Sequence, residues 1–267
     1  MTNVRSPEGL QARLDRAVEL AHQAGAILRS GLGRATVEHK GPLELVTEFD
    51  RAAERMIVDG VTAAFPGDGL VAEEGSRRSG VAWRWYIDPL DGTTNFAHGL
   101  PHFAVSIGVE HEGVLQCGVV YDPMRDELFR GVRGQGAFLG DRRLSVTDSG
   151  ALETSLLVTG FPYDLRQNRD NNLDLFAHLA TRALAVRRLG AAALDLAYVA
   201  AGRFDAYWEL RLAPWDVAAG IVLVLEAGGA VSRVDGTPDP LREPPSIIAS
   251  NGHLHAQLLE ALRQARG

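Results

Sequence analysis

The sequence predicts a mixed α and β protein built in two halves. Residues 1–148 contain two helical patterns and then closely spaced strands, which indicates an α+β half with an antiparallel sheet and two helices. From residue 149 to residue 267 strands alternate with helices, which is typical of an α/β arrangement. The chain has no repeat and no flexible linker, so we expect residues 1–148 and 149–267 to form one functional unit.

The first half opens with two predicted helices. Apolar residues recur near a 3.6-residue period over residues 10–28 and again over residues 49–64. The second helix begins near Thr47 and ends before a proline. Asp50 therefore lies in its first turn, where a carboxylate is favourable.

Strand patterns follow these helices. Each is a short run rich in β-branched and aromatic residues that ends at a turn signal. In the first half they cover residues 83–87, 103–110, 114–121, 127–132 and 137–139. The second half has predicted strands at 156–158, 185–189, 204–209 and 246–249, and predicted helices at 172–184, 191–201, 214–226 and from about residue 253.

Composition and charge limit the classes of function. The chain has 267 residues, of which 46% are hydrophobic and 23% charged, so it can bury a substantial core. Its net charge of −7 argues against broad binding of anions, so we expect no direct nucleic-acid partner and no membrane partner. The lone Cys117 lies in an alternating strand pattern and predicts a buried thiol. Without a signal-peptide pattern or a long apolar run, we expect a cytoplasmic protein.

Two carboxylates lie at a predicted strand end within the segment WYIDPLDGTTNF at 85–96. Asp88 precedes a proline that ends the strand, so we expect Asp88 and Asp91 on a tight, solvated loop. Two carboxylates three residues apart on a turn can bind one hard divalent cation or bridge two, with the Leu90 carbonyl as a further oxygen ligand. By itself the pattern is better explained by a structural turn in which Asp88 caps a helix.

The residues after these carboxylates can donate to an anion. Gly92 lets the backbone approach a ligand, and a helix that begins here offers free amides beside the Thr93 hydroxyl. Two more acids add to the pattern: Glu73 follows the apolar run 70–72, and Asp216 lies in the first turn of the predicted helix at 214–226. Each alone could be a solvated acid or a partner of a helix dipole. Together they predict a metal and phosphate site.

Four segments together resemble a known family. They are LVTEFD at 45–50, VAEEGS at 71–76, DPLDGTTNF at 88–96 and PWDVAAG at 214–220. In order and spacing they are similar to the inositol monophosphatase family, which are Mg²⁺-dependent, lithium-sensitive phosphomonoesterases. The resemblance extends from about Leu10 to the C-terminus. It implies a layered αβαβα sandwich of the sugar phosphatase type and a homodimer.

The resemblance also implies a metal-binding set. Glu73, Asp88 and the Leu90 carbonyl would hold one Mg²⁺, and Asp88, Asp91 and Asp216 a second; Glu73 would support a weaker third. Oxygen ligands of this kind favour Mg²⁺, with Mn²⁺ as a substitute, over Zn²⁺. Two cations placed on either side of a phosphorus atom can activate a water and stabilise the leaving oxygen, so no side-chain nucleophile is required.

Three catalytic residues follow from the same resemblance. Gly92 and Thr93 would bind the phosphate. Thr93 and Asp50 would form a hydrogen-bonded pair near the water that Glu73 helps to activate. For Asp50 an ordinary helix-capping role remains the alternative.

Substrate-binding residues are implied mainly for the second half of the chain. Glu209 would accept a hydrogen bond from a substrate hydroxyl, and the backbone of Gly190 and Ala192 would line the pocket. Asp91 and Asp216 would contact the substrate as well. Glu209 at a strand end could equally be a surface acid. The segment FPYD at 161–164 is expected to shape the pocket or a subunit contact, or to be a simple strand exit.

Three functions remain open. The first is hydrolysis of a small phosphate monoester, myo-inositol 1-phosphate, to inositol and phosphate. The second keeps this chemistry but acts on histidinol phosphate, a nucleotide 3′-phosphate, NADP or fructose 1,6-bisphosphate. The third is a regulatory protein that binds the transcription machinery, a role that an intact metal-binding set does not exclude as a second activity.

Overall fold

This computed structural model describes residues 7–41 and 44–266. The predicted halves also include residues 1–6, 42–43 and 267, which lie outside the described residues. The α-helices in the described part are α1 (Leu10–Gly31), α2 (Glu48–Ala64), α3 (Thr93–Ala97), α4 (Leu173–Ala180), α5 (Ala192–Ala200), α6 (Pro214–Glu226) and α7 (His255–Arg266). The strands are β1 (Val37–His39), β2 (Leu45–Thr47), β3 (Gly69–Ala72), β4 (Arg77–Arg78), β5 (Trp83–Asp91), β6 (Ala104–His111), β7 (Val114–Asp122), β8 (Glu127–Val132), β9 (Gly136–Leu139), β10 (Arg142–Arg143), β11 (Leu156–Thr159), β12 (Ala185–Arg187), β13 (Ala206–Glu209), β14 (Ala230–Ser232) and β15 (Ile247–Ser250). A 3-10 turn covers Leu152–Thr154.

The larger sheet has eight strands in the order β10-β9-β8-β7-β6-β5-β3-β4. From β5 to β10 each neighbouring pair is antiparallel, which confirms the meander expected in the first half. The pair β3 and β5 is parallel. Cys117 on β7 is a buried thiol, as expected, and burial raises its pKa to about 12.

The predicted end of β5 is wrong. We expected a strand at 83–87 that stops before Asp88 and its proline, but β5 continues to Asp91. The pairing with β6 shifts between Asp88 and Asp91, where the strand bulges. A proline within such a bulge removes no ladder hydrogen bond, so the strand resumes beyond it.

The smaller sheet has five strands in the order β12-β11-β13-β15-β14. Strands β12, β11 and β13 are parallel to one another. Strand β15 is antiparallel to β13, and β14 is antiparallel to β15. The predicted helix at 172–184 is shorter in the structure and ends at Ala180. The chain has already turned back to the sheet by Leu184, whose amide donates to the Ser155 carbonyl at 3.1 Å.

The helices and sheets stack in five layers. Helices α1 and α2 cover the outer face of the larger sheet, and α4 and α7 cover the outer face of the smaller one. Between the sheets lie α5 and α6, whose small and aliphatic residues are buried almost throughout because both faces are covered. This αβαβα arrangement confirms the predicted fold class.

Three short strands were not predicted from the sequence. They are β1, β2 and β14, and each is only three residues long and carries no clear alternation.

Among residues 7–41 and 44–266, no helix combines the length and the apolar character that crossing a membrane requires.

Candidate active site

One cavity of about 250 Å³ lies where strands of both sheets end and where neighbouring helices begin. The residues that the sequence assigns to metal, phosphate and substrate line it: Glu73, Asp88, Leu90, Asp91, Gly92, Thr93, Gly190, Ala192, Glu209 and Asp216. Asp50 lies behind this wall and contacts Thr93. The fold therefore gathers the predicted residues from both halves of the chain at one place.

The register of two parallel strands sets the positions of Glu73 and Asp88. Ala72 at the end of β3 pairs with Ile87 in β5, and the Glu73 amide donates to the Ile87 carbonyl at 3.2 Å. Parallel neighbours point in the same direction, so the residues after this pair reach the same edge of the sheet. The two carboxylates consequently face one cavity.

Buried Glu54 on α2 holds the loop that follows β3. Its carboxylate accepts hydrogen bonds from the Glu74 amide at 2.6 Å and from the Ser76 amide at 3.1 Å. Lys40 contacts the same loop: its Nζ is 3.5 Å from Glu73 Oε1 and donates to Glu74. Neither Glu54 nor Lys40 is predicted from the sequence, because no local pattern marks contacts across 20 and 34 residues of chain.

Asp88 and Asp91 lie in the bulged end of β5 and not on the solvated loop that we expected. Their exposed fractions are 2% and 8%. Asp88 Oδ1 accepts the Leu90 amide at 3.0 Å, which is the structural turn considered as an alternative. That turn uses one carboxylate oxygen, so it is compatible with a place in the cavity wall.

Asp91 also fixes the start of α5. Its two oxygens accept the amides of Ala192 at 3.1 Å and Ala193 at 2.8 Å. Amides in the first turn of a helix have no acceptor within that helix, and a carboxylate supplies one. This contact joins the two predicted halves at the cavity and brings the backbone around Ala192 next to Asp91.

Asp50 makes the hydrogen bonds that both of its predicted alternative roles require. Its Oδ2 accepts the Thr47 amide at 2.9 Å, which caps α2. Its Oδ1 accepts the Thr93 hydroxyl at 3.0 Å. Thr93 Oγ1 also lies 3.0 Å from the Leu90 carbonyl, and one hydroxyl proton can serve only one of these acceptors at a time. The lone pairs of Thr93 Oγ1 are left to accept a proton from a water.

Asp216 lies in the first turn of α6, as expected. Its Oδ2 accepts the Ala213 amide at 2.7 Å, and Pro214 at the first helical position suits a helix start. The helix start thereby delivers a carboxylate from the second half of the chain to the cavity lined by Glu73 and Asp88.

Burial and mutual repulsion raise the pKa values of these carboxyl groups. Burial is the main cause; it raises the pKa of Glu73 to about 8, of Asp91 to about 7 and of Asp216 to about 8. The pKa of Asp88 lies well above its usual value, first because of burial and then because of neighbouring carboxylates. Buried like charges of this kind favour either bound protons or a bound cation.

The donor set fits a hard divalent cation. The acidic side chains in this wall offer carboxylate oxygens, and Leu90, whose backbone carbonyl is the further oxygen ligand that the resemblance implies, lines the cavity among them. In the part of the chain that the structure describes, no three acidic, imidazole or thiol groups already converge as a metal centre. The hydrogen bonds explain this, because Asp88, Asp91 and Asp216 each bend toward backbone amides. A cation would have to use the free oxygens of Asp88 and Asp216 and the remaining lone pairs of the two Asp91 oxygens.

The turn that is predicted to bind a phosphate lies at the start of α3. Gly92 has φ 96°, a left-handed conformation that favours glycine. A side chain there would also crowd the turn, since a Cβ would lie 3.1 Å from the His102 carbonyl and 3.3 Å from that of Gly190. The expectation that a helix starts here is confirmed, and its first-turn amides are donors for an anion.

Glu209 lines the same cavity from the end of β13 and is buried, so it is not the surface acid that we considered as an alternative. Burial raises its pKa to about 7, while the hydrogen bond from the Tyr207 hydroxyl at 2.7 Å lowers it. Gly160 leaves the room that this carboxylate occupies, because a Cβ on Gly160 would collide with both of its oxygens.

Replacing Gly160 by alanine should therefore displace the Glu209 carboxylate and raise KM for a polyol phosphate. We expect kcat/KM to fall roughly tenfold, as for the loss of one hydrogen bond to a charged group. Gly150→Ala is the matched control, since a Cβ there meets open space. Partial rescue by the shorter acid in Gly160→Ala/Glu209→Asp would show that position is the cause, whereas unchanged kinetics in Gly160→Ala would contradict this role.

Several residues of the cavity wall were missed or left open by the sequence. Tyr163 of the 161–164 segment lines the cavity, which agrees with a pocket role for that segment. Arg188 and Arg211 were not expected, although an Arg-Arg pair directly before the Leu189-Gly190 turn was a visible signal for the first. His98 and His102, which flank the turn after α3, do not line the cavity.

The sequence model of the inositol monophosphatase family matches residues 10–266. The chain belongs to this family. An inositol-1-monophosphatase from Synechocystis is 45% identical over 263 residues, which cover 97% of this chain and 91% of the relative. A protein from Pseudomonas aeruginosa named Nus factor SuhB is also 45% identical over 263 residues, covering 95% of this chain and 97% of the relative.

A solved structure shows the same fold. The inositol monophosphatase from Anabaena superposes with a TM-score of 0.87 at 46% sequence identity, and the match covers 96% of this chain and 97% of that one. Together with the family match, these similarities identify the chain as an inositol-phosphate phosphatase.

Proposed function

We propose that this chain hydrolyses myo-inositol 1-phosphate to inositol and phosphate in a Mg²⁺-dependent reaction. One observation carries the proposal: four carboxylates from both halves, of which Asp88 and Asp91 are buried, line the same cavity as the Gly92-Thr93 turn and the buried Glu209. Repulsion among the carboxylates favours cations, the turn offers donors to a phosphate, and Glu209 offers an acceptor to a hydroxyl.

Each side chain has a defined task in this proposal. When bound, Mg²⁺ supplies charge neutralisation of the phosphate and activation of a water, and Glu73, Asp88, the Leu90 carbonyl, Asp91 and Asp216 would hold it. Thr93 and Asp50 orient the attacking water through their hydrogen bond, and Glu73 accepts its proton. Two or three Mg²⁺ ions per site, replaceable by Mn²⁺, are part of the proposal.

The alcohol part of the substrate is bound by the second half of the chain. Glu209 accepts a hydrogen bond from a hydroxyl, and the backbone at Gly190 and Ala192 lines the pocket beside it. A buried acceptor discriminates against analogues that lack the hydroxyl, because its carboxylate would remain without a partner. Asp91 and Asp216 complete this wall on the phosphate side.

Several expectations about the assembled protein belong to the same proposal. We propose a homodimer in the cytoplasm, with residues 1–148 and 149–267 acting as one unit, and without a membrane or nucleic-acid partner. A second activity, binding to the transcription machinery, is favoured by the similarity to a protein named a Nus factor. Pull-down with the Asp91→Asn variant would test whether such binding occurs independently of turnover.

Phosphate release from a substrate panel tests the proposal. The panel holds myo-inositol 1-phosphate, histidinol phosphate, a nucleotide 3′-phosphate, NADP and fructose 1,6-bisphosphate, each with Mg²⁺ or Mn²⁺ and with added Li⁺. We expect the highest rate with inositol phosphate and Mg²⁺, and inhibition by Li⁺ that is uncompetitive or mixed toward substrate. Greater activity on another substrate would replace inositol phosphate, and metal-independent turnover would contradict the metal assignment.

Magnesium should stabilise the protein more at pH 8.5 than at pH 6. The pKa values of about 7 to about 8 lie above those of an unfolded chain, so between pH 4 and pH 8 the metal-free folded protein binds more protons. Its own stability therefore falls as the pH rises through this range. Mg²⁺ must displace these protons at low pH, so its affinity increases with pH.

Thermal melting with MgCl₂, and with NaCl at equal ionic strength as control, measures this effect. The melting-temperature increase that Mg²⁺ causes should grow steadily from pH 6 to pH 8.5 and should shrink in Asp216→Asn. An increase independent of pH would show that Mg²⁺ does not bind at these carboxyl groups.

A further inference from the structure

Tyr163 is a side chain of the cavity wall that the proposed reaction does not use. It lies on the segment that follows β11, lines the cavity and keeps 55% of its surface exposed, so a ligand in the cavity can reach it. In the part of the chain that the structure describes, no hydrogen bond involves its hydroxyl. A phenol hydroxyl is a hydrogen-bond donor as well as an acceptor. Tyr163 therefore offers a ligand a donor that no described residue uses.

The hydroxyl of Tyr163 lies close to the carboxylates of the proposed metal-binding set. Burial raises the pKa of Tyr163, and four neighbouring carboxylates raise it further: Glu73, Asp216, Asp88 and Asp91. All of these residues line the same cavity. Such an electrostatic influence requires proximity, because water and salt screen charges at longer distances. The hydroxyl consequently faces the part of the cavity that these carboxylates surround.

A tight turn fixes the backbone of Tyr163. The Leu165 amide donates to the Pro162 carbonyl at 3.0 Å, so Tyr163 and Asp164 are the two central residues of the turn. The Asn168 amide donates to the Asp164 carbonyl at 3.0 Å and continues the turn. A side chain on a backbone that is already ordered loses less entropy when it binds a ligand.

An ion pair connects this turn to the chain between β13 and α6. The Arg211 guanidinium donates to the Asp164 carboxylate at 2.6 Å. Arg211 lies between Glu209, at the end of β13, and Asp216, in the first turn of α6, and it also lines the cavity. Its backbone has φ 59°, a left-handed conformation that is unusual for a residue with a long side chain. The ion pair therefore couples the position of Tyr163 to that of the two carboxylates.

We propose that the Tyr163 hydroxyl donates a hydrogen bond to the phosphate group of the substrate and of the released product. The inference rests on the proposed function, since the phosphate must lie between the Gly92-Thr93 turn and the metal-binding carboxylates. Carboxylates repel an anion, whereas a neutral hydroxyl among them can donate to it. The hydrogen bond is charge-assisted because its acceptor is an anion.

Two other roles of Tyr163 would leave the binding of phosphate to the loaded site unchanged. If the hydroxyl donated only to the carboxylates, its removal would alter the affinity for Mg²⁺. If only the ring mattered, by covering the cavity, phenylalanine would replace tyrosine without loss. The dissociation constant of inorganic phosphate at saturating Mg²⁺ separates both roles from a hydrogen bond to phosphate.

Isothermal titration calorimetry with inorganic phosphate, at saturating MgCl₂, measures this dissociation constant without turnover. Tyr163→Phe keeps the ring and should raise the constant at least about tenfold, as for the loss of a hydrogen bond to a charged group. The affinity for Mg²⁺, measured by the same method without phosphate, should stay unchanged. Tyr121→Phe is the matched control, because the Tyr121 hydroxyl donates to Asp126 at 2.6 Å outside the cavity wall. This control should bind phosphate as the parent does.

Asp164→Asn tests the same donor through the ion pair that anchors its turn. The substitution removes the charge that binds Arg211 and leaves the phenol in place. It should weaken phosphate binding by less than Tyr163→Phe does, and it should cause no further loss when combined with Tyr163→Phe. An equal loss in both backgrounds would show that the anchor acts without Tyr163 and would count against the hydrogen bond.

The outcomes separate this inference from the proposed function. If the parent hydrolyses inositol phosphate but Tyr163→Phe binds phosphate as tightly as the parent, or loses Mg²⁺ affinity to the same extent, the inference is wrong and the phosphatase assignment stands. If Tyr163→Phe binds phosphate more weakly but the parent hydrolyses no substrate of the panel, the inference stands and the proposed reaction fails. A parent protein that binds no phosphate in the presence of Mg²⁺ would overturn the inference.

Discussion

Replacing Asp91 by asparagine should lower kcat by at least ~10²-fold, the lower end of what the loss of one electrostatic stabiliser costs. Asp91 lines the cavity beside Asp88 and Asp216, and it is the acid whose two oxygens also hold the start of α5. The substitution removes a negative charge from the proposed metal-binding set with almost no change in side-chain volume. The measurement is steady-state phosphate release at saturating Mg²⁺.

The structure adds a stability cost that the sequence did not suggest. An asparagine at position 91 can accept one of the two amide hydrogen bonds from Ala192 and Ala193, while its own amide group would face the other amide. An unsatisfied buried donor costs about 1–3 kcal/mol. Activity should therefore be measured well below the melting temperature, with circular dichroism to confirm the folded state.

Asp59→Asn is the matched control for this variant. Asp59 is an exposed aspartate on α2, so its substitution removes the same charge from the protein without touching the cavity. It should leave kcat within a few-fold of the parent. If Asp91→Asn also stays within a few-fold, the two-metal assignment must be abandoned.

Local sequence patterns predict the site well because each of its segments is a strand end or a helix start. Glu73 follows a short apolar run, and Asp216 follows a proline that begins a helix, so both positions can be recognised from a few neighbouring residues. The layered fold then brings these strand ends and helix starts together around one cavity. Periodicity likewise located α1, α2 and α6 within a few residues of their observed bounds.

The parts that escaped prediction depend on contacts through space. Glu54 holds the Glu74 loop across 20 residues of chain, and Gly160 makes room for Glu209 in a different strand. No local pattern encodes such contacts. The bulge in β5 escaped for another reason, since the rule that a proline ends a strand holds only where the ladder would need its amide.

Asp50 shows a further limit of reading residues one at a time. The sequence offered capping and catalysis as competing roles, yet the carboxylate has two oxygens, of which one accepts the Thr47 amide at the cap and the other accepts the Thr93 hydroxyl. Asparagine at this position separates the roles, because its carbonyl oxygen can still accept the Thr47 amide while its amide group cannot accept the Thr93 hydroxyl.

Asp50→Asn and Thr93→Ala should each reduce kcat by ~10²-fold, and the double variant should lose little more than either single one. The reason is the 3.0 Å hydrogen bond between Asp50 Oδ1 and Thr93 Oγ1. With the carboxylate in place, Thr93 can donate to Asp50 and present its lone pairs to a water. Without it, the hydroxyl donates to the Leu90 carbonyl alone, 3.0 Å away, and the water loses its fixed orientation. Once either member is gone, the other has no partner through which to act.

A double-mutant cycle on kcat measures this coupling, and thermal melting of the same four proteins monitors the cap on α2. If Asp50 served only to cap the helix, Asp50→Asn would change stability by a fraction of a kcal/mol to ~1 kcal/mol and leave turnover nearly unchanged. If instead the double variant showed the product of the two single losses, ~10⁴-fold, each residue would act independently. Thr93 would then bind phosphate without help from Asp50, because a shared water cannot be oriented twice by groups that do not depend on each other.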